Sequence, residues 1–350
     1  MAAVRGYNPL FSATPKEPPL FDLLFILLLS IHLLLANVAA GGPLVCLWLE
    51  WKGRAKRDAL AGQAADYLAF WSLASLLGGG LLGMLLGALL WDGAYRSLWM
   101  ERLAHKASWA IGEYAVSLFV IGGYWLWRWI RPAAGMPTAV CRMFLLLFTA
   151  TNLLYHFPPL FLVASRLSDA GEATGLPVTP ALFRQEMARG EVAALTAHFT
   201  LASLAMTGVM LLGLALRVKR RGGTDDDYGR LARWGGWIGL IPSLLQLPVG
   251  LWVLATISAA LQSRLMGSHF VATGCFLVGL LGALWLMREL AAIALGERER
   301  SQLIRTMVLM VAVVALMTAA QQLARVRSSP AATVAAPAQP SGMIAAATLH

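Results

Sequence analysis

Five ionisable side chains stand inside long apolar runs of the sequence: His32, Glu113, His156, His198 and His269. Ionisable groups are costly inside a bilayer, so each requires a reason. Neutral histidines on several apolar segments, without cysteine beside them, suit haem iron. Imidazole binds iron through one ring nitrogen, and an apolar bundle takes up the porphyrin faces. A zinc or copper cluster would need several ligands converging within bonding distance. No two of these histidines share a segment at i, i+4, so a local metal clip is absent. A proton relay through Glu113 and a histidine is compatible with haem. The plainer alternative for any one histidine is a hydrogen bond to a neighbouring helix.

The elements that must position these residues follow from composition. The chain has 350 residues, 58% hydrophobic and 13% charged, with a mean hydropathy of +0.66. Soluble domains average about 45–50% apolar and about 25% charged. A soluble enzyme, a disordered chain and a disulfide scaffold are therefore excluded, and no phosphate loop, nucleophile elbow or metalloprotease helix is present. The expected fold is an all-α integral membrane bundle. Eight apolar segments lie near 21–49, 66–91, 108–130, 142–165, 194–217, 232–257, 267–292 and 303–325, each about long enough to cross a bilayer. Residues 1–20 read as a tail rather than a cleavable signal, 21–325 as the membrane domain, and the Ala/Pro/Ser-rich 326–350 as a disordered tail.

The net charge of +10 comes from basic residues spread through short connections, which speaks for membrane orientation rather than nucleic acid. Of the 28 Lys and Arg, 17 fall after segments 1, 3, 5 and 7, which makes those connections cytoplasmic and puts the N-terminus outside. His156, His198 and His269 then lie in the outer halves of their segments, Glu113 a turn or two inside, and His32 near mid-depth. The cluster Arg217, Lys219, Arg220 and Arg221, followed by Asp225, Asp226 and Asp227, reads as a solvated loop. Cys46, Cys141 and Cys275 read as buried thiols. Gly79, Gly83 and Gly87, at i, i+4 and i+8, allow another backbone or a flat macrocycle to approach. Trp125, Trp127 and Trp129 fit an interfacial belt. Pro158, Pro159, Pro242 and Pro248 are expected to interrupt their helices.

Three stretches carry a resemblance. His32 is followed by Gly41 nine residues on and Glu50 eighteen on. This resembles the first helix of subunit I of cytochrome bd quinol oxidases, where the histidine ligates haem. Eighteen residues separate His32 and Glu50 by ~27 Å along a helix, so they cannot touch. Asn152-Leu-Leu-Tyr-His-Phe-Pro158 resembles the family's Asn-x-Trp-Met-Gln-x-Pro segment, with Leu154, Tyr155 and His156 replacing the middle. Leu-Thr-Ala-His198 looks like the helix whose histidine binds the low-spin haem b, and Glu113 aligns with the first of two family glutamates; the second is Ile121 here. The large external quinol-binding loop is missing, and Ala272 stands where the family has an axial methionine. His269, one turn earlier, is the substitute ligand, ahead of Met266.

The resemblance implies one or two b-type haems in an electron-transfer subunit of a terminal oxidase or other respiratory complex. His198 with His269 would hold one iron and His32 a second. Glu113 would be a proton-accepting or haem-adjacent carboxylate, and Asn152 and His156 would shape the haem or a proton path. It further implies a second membrane subunit or a cytochrome as electron partner, the lipid bilayer as surroundings and a bacterial cytoplasmic membrane as location. The alternatives are a non-haem accessory subunit and a proton-coupled transporter.

Overall fold

The computed structural model describes residues 19–55, 58–131, 135–172 and 174–325. The expectations placed on 1–18 and 326–350 lie outside the described residues. Eight long helices carry the fold: α1 (Pro19–Ala55), α2 (Ala59–Leu89), α4 (Ala104–Ile130), α5 (Met136–Asp169), α7 (Gly190–Arg220), α8 (Asp225–Thr256), α10 (Phe270–Leu295) and α11 (Arg300–Ala324). Between them lie the short helices α3 (Gly93–Ser97), α6 (Pro180–Met187) and α9 (Ala259–Ser263). Two π-helical turns, Leu98–Arg102 and Arg264–Ser268, complete the described structure, which contains no strand.

Seven of the long helices are long and apolar enough to cross a membrane. The exception, α4, is 27 residues long but carries Lys106, Glu113 and Arg128. The helices start where the chemistry requires. Asp58 caps α2 by accepting from the Ala61 N–H, and Thr224 caps α8, whose first turn holds Asp225, Asp226 and Asp227. Arg217, Lys219 and Arg220 belong to the last turn of α7, where cations oppose the helix dipole, rather than to a loop.

Two further expectations are corrected. α5 runs unbroken through Pro158 and Pro159, and α8 through Pro242 and Pro248. Neighbouring helices and local adjustments sustain a membrane helix across a lost backbone bond. Of the three cysteines, all free thiols, only Cys46 is buried; Cys275 is half-buried and Cys141 exposed.

The helices close two rings. α1, α2, α4 and α5 contact one another in sequence around the first, and α7, α8, α10 and α11 around the second. The seam runs along α1, which packs on both α7 and α11, with α5 also against α7. Gly41 makes the seam possible: a Cβ there would come within 2.6 Å of Thr207 Oγ1. The Ser203 hydroxyl of α7 donates to Asn37 Oδ1 of α1 at 2.9 Å, so the seam also holds a buried polar bond.

Candidate functional site

On α4, Glu113 and Ser117 are one turn apart and share a face; on α5, Asn152 and His156 do the same. The two faces meet. Glu113 Oε1 lies 3.1 Å from His156 Nδ1. Asn152 Nδ2 donates to the Glu113 backbone carbonyl at 2.9 Å and to Ser117 Oγ at 2.8 Å. The edge of Tyr155 meets the His156 ring at 5.1 Å between centroids. A cavity of about 390 Å³ opens against this group, walled by Trp109, Val116 and Phe148, with Glu113 and Asn152 also lining it. The Glu113 and His156 side chains keep 19% and 38% of their exposure. A carboxylate against an imidazole can share, hold and hand on one proton.

His32 is positioned differently. Its Nδ1 lies 2.9 Å from the Gly79 carbonyl of α2. A carbonyl only accepts, so Nδ1 carries the proton and Nε2 keeps its lone pair. This is the arrangement in which a metal-ligating histidine is oriented by its other nitrogen. The glycine stripe makes room for the ring: a Cβ on Gly83 would meet His32 Cε1 at 3.0 Å. Gly79 faces Leu35, whereas Gly87 meets nothing nearer than the Tyr95 hydroxyl at 4.0 Å. One turn away, the Tyr114 hydroxyl of α4 donates to the Leu76 carbonyl at 2.9 Å, so α2 is held from both sides.

His198, in α7, has a buried Nδ1 without a hydrogen-bond partner among the described residues. His269 caps α10, its Nδ1 accepting from the Ala272 N–H at 3.2 Å. No hydrogen bond or ring contact joins His198 to His269. The structure thus gathers Glu113, Asn152 and His156 and leaves His32, His198 and His269 on separate helix contacts. Five of the six lie toward the end of the bundle where α1 begins, and Asn152 stands at the middle of α5. No group of three or more His, Cys, Asp or Glu that could hold a metal ion occurs among the described residues.

A b-type haem iron, which needs one or two imidazoles rather than a cluster, fits His32 by its free Nε2. It fits His198 by its orphaned buried nitrogen, a group that otherwise costs about 1–3 kcal/mol. His269 fits less directly. With Nδ1 accepting, the neutral ring carries its proton on Nε2, so ligation requires the cap to open.

The other end of the first ring holds a group that sequence spacing does not signal. Glu50, 7% exposed, accepts from Arg128 Nη1 at 2.6 Å and from the Tyr124 hydroxyl at 3.0 Å. Arg128 also bonds Asp66 and, at 2.9 Å, the Gly62 carbonyl. Arg142, fully buried, bonds the Trp127 and Arg131 carbonyls, and its Nη1 lies 4.0 Å from Glu50. Arg128 and Arg142 stand at the ends of their apolar segments in the sequence, and both are buried inside the helix ends. Trp127 lies beneath the Arg142 guanidinium, 5.4 Å from it, and of the three tryptophans there Trp129 is 74% exposed.

No family model matches the sequence, and no curated protein matches it. Among solved structures, a chain of the bd oxidase from Geobacillus thermodenitrificans is similar, with a TM-score of 0.65 at 14% sequence identity. The match covers 87% of this chain and 85% of that chain. The bundle described above therefore shares its fold with a bd oxidase chain.

Proposed function

We propose that this chain is a haem-b-binding membrane subunit that transfers electrons, related to subunit I of cytochrome bd oxidases. The observation that carries the reading is His32, whose Nδ1 is committed to the Gly79 carbonyl while Nε2 stays free above a glycine stripe. The shared fold supports it. A bound b-type haem supplies one-electron transfer at its iron. His32 and His198 would hold the iron of one or two such groups, with His269 as the second ligand beside His198 once its cap opens.

The α4–α5 constellation does the proton work. Asn152 holds the Glu113 backbone, which sets the carboxylate against His156. The pair can take a proton from the cavity and keep it at Glu113 Oε1 or His156 Nδ1. Only residues 257–269 join α8 to α10, a connection without room for a large external loop. Electrons would then arrive from a second membrane subunit or a cytochrome, in a bacterial cytoplasmic membrane.

The test is the reduced-minus-oxidised absorption spectrum of the purified protein in detergent, repeated for His32→Ala and His198→Ala. A haem b spectrum that loses a component in either variant supports the reading. A folded protein, expressed with ample haem, that shows no Soret band overturns it. An accessory subunit or a proton-coupled transporter using Glu113 and His156 would remain.

A further inference from the structure

At the end of the bundle away from His32, α10 and α11 turn two arginines away from the bundle core. Glu289 of α10 is fully buried and accepts three hydrogen bonds: from Trp285 Nε1 at 2.9 Å, Arg288 Nη1 at 2.9 Å and Arg305 Nη2 at 2.8 Å. One carboxylate thus orients two guanidinium groups from different helices. Each uses one nitrogen on Glu289, and their side chains remain 76% and 48% exposed. Two cations on one anion leave a net charge of +1 with N–H edges free.

The surroundings define what can use those edges. Along α10, Leu281, Trp285 and Arg288 fall at i, i+4 and i+7, one face of the helix. Leu281 is 65% and Trp285 52% exposed. On α11, the exposed Val308 and Val311 follow Arg305 at i+3 and i+6, leading away from the helix start. Both arginines therefore terminate apolar stripes on helices long and apolar enough to span the bilayer. They lie seven residues from the end of α10 and five from the start of α11, ~8–10 Å inside the helix ends. A third arginine, Arg233 of α8, is exposed, with its Nη2 near Gly296 at the end of α10.

We propose that the α10–α11 face is a binding site for an anionic phospholipid. Its phosphate bridges Arg288 and Arg305, and its acyl chains follow the Leu281–Trp285 and Val308–Val311 stripes. A free phosphate would use the arginines alone, whereas the apolar stripes leading away from them select a lipid. Glu289 is the positioning residue: it holds both guanidinium groups at a fixed spacing, so the site exists before the lipid arrives.

The experiment is lipid retention by native mass spectrometry of the full chain released from nanodiscs of phosphatidylcholine containing a tenth phosphatidylglycerol. Retained phosphatidylglycerol should be enriched about fivefold over its bulk fraction, as expected from about 1 kcal/mol of attraction for one net charge. Arg288→Gln with Arg305→Gln alone would strand Glu289 and endanger folding. The test variant therefore adds Glu289→Gln, which removes the buried charge as well. Loss of the enrichment in this triple variant supports the site. Absence of enrichment in the parent protein, or enrichment unchanged in the triple variant, overturns it. Should the triple variant not fold, Trp285 fluorescence decides. Brominated phosphatidylglycerol should quench the Trp285-dependent emission, taken as the difference from Trp285→Phe, more than brominated phosphatidylcholine does. Equal quenching overturns the proposal.

Discussion

The two rings treat buried charge in opposite ways. In the first, Glu50, Arg128 and Arg142 are each at most 7% exposed, and their partners are one another, Tyr124, main-chain carbonyls and, for Arg128, the half-exposed Asp66. In the second, only Glu289 is buried, while the arginines that satisfy it face outward. A charge sealed among helices must find every partner inside the protein, because removal of one strands another. A charge at the rim can lose a partner and turn to solvent or headgroups. The first ring is therefore clamped at the end opposite its candidate site, and the second is open to its surroundings at the same end.

The sharpest way to break this contrast is Arg128→Leu. It removes the charged donor hydrogen-bonded to buried Glu50, leaving the carboxylate with the Tyr124 hydroxyl and with Arg142 at 4.0 Å, and should cost about 3–5 kcal/mol, read as a large fall in the thermal midpoint in detergent or as failure to fold. Next in size is Asn152→Leu, which removes two hydrogen bonds between α4 and α5. It should cost about 1–2 kcal/mol and loosen the Glu113–His156 pair, read by the same melt. In the second ring, Arg305→Leu should cost less than about 1 kcal/mol, because Trp285 and Arg288 still serve Glu289 and the lost side chain was half exposed. A loss matching that of Arg128→Leu would erase the difference between the rings. The smallest effect is expected from Gly83→Ala. The new Cβ forces the His32 ring to move by a few tenths of an ångström, with little change in stability. In the haem-bound protein, the proposed ligation predicts a shift in the absorption bands; an unshifted spectrum would separate His32 from the iron.

Most of the helical layout is legible in hydropathy, because each apolar run is about one bilayer long and interruptions are short. The segment near 108–130 shows where that signal weakens: Lys106, Glu113 and Arg128 lower the hydropathy of α4 although its length is that of a span. The Glu113, Asn152 and His156 group was legible as costly polar residues on adjacent segments. Its contact was not, since which faces of α4 and α5 meet depends on tertiary packing. His32 over the glycine stripe was half legible. The i, i+4, i+8 spacing announced a close approach, but not that the approaching atoms would be an imidazole. The Glu50 cluster was obscured because charges near segment ends read equally well as loops, and only burial distinguishes Arg142 from Arg131. The prolines of α5 and α8 misled for a related reason: the rule that breaks a helix in water is relaxed where neighbouring helices support it.

The two rings are also contiguous along the chain, residues 19–169 and then 190–324. All four helices of the first are present before the first residue of α7 is made. During synthesis the N-terminal ring has every partner for its sealed ion pairs already in the membrane, so Glu50, Arg128 and Arg142 need not wait, unpaired, for later segments. Contacts between neighbouring helices close at low entropic cost, and N-terminal units fold first as the chain emerges. The α1–α7 seam, with Gly41 against the Ser203–Thr207 turn, is then the joint at which the second half docks onto a finished first half.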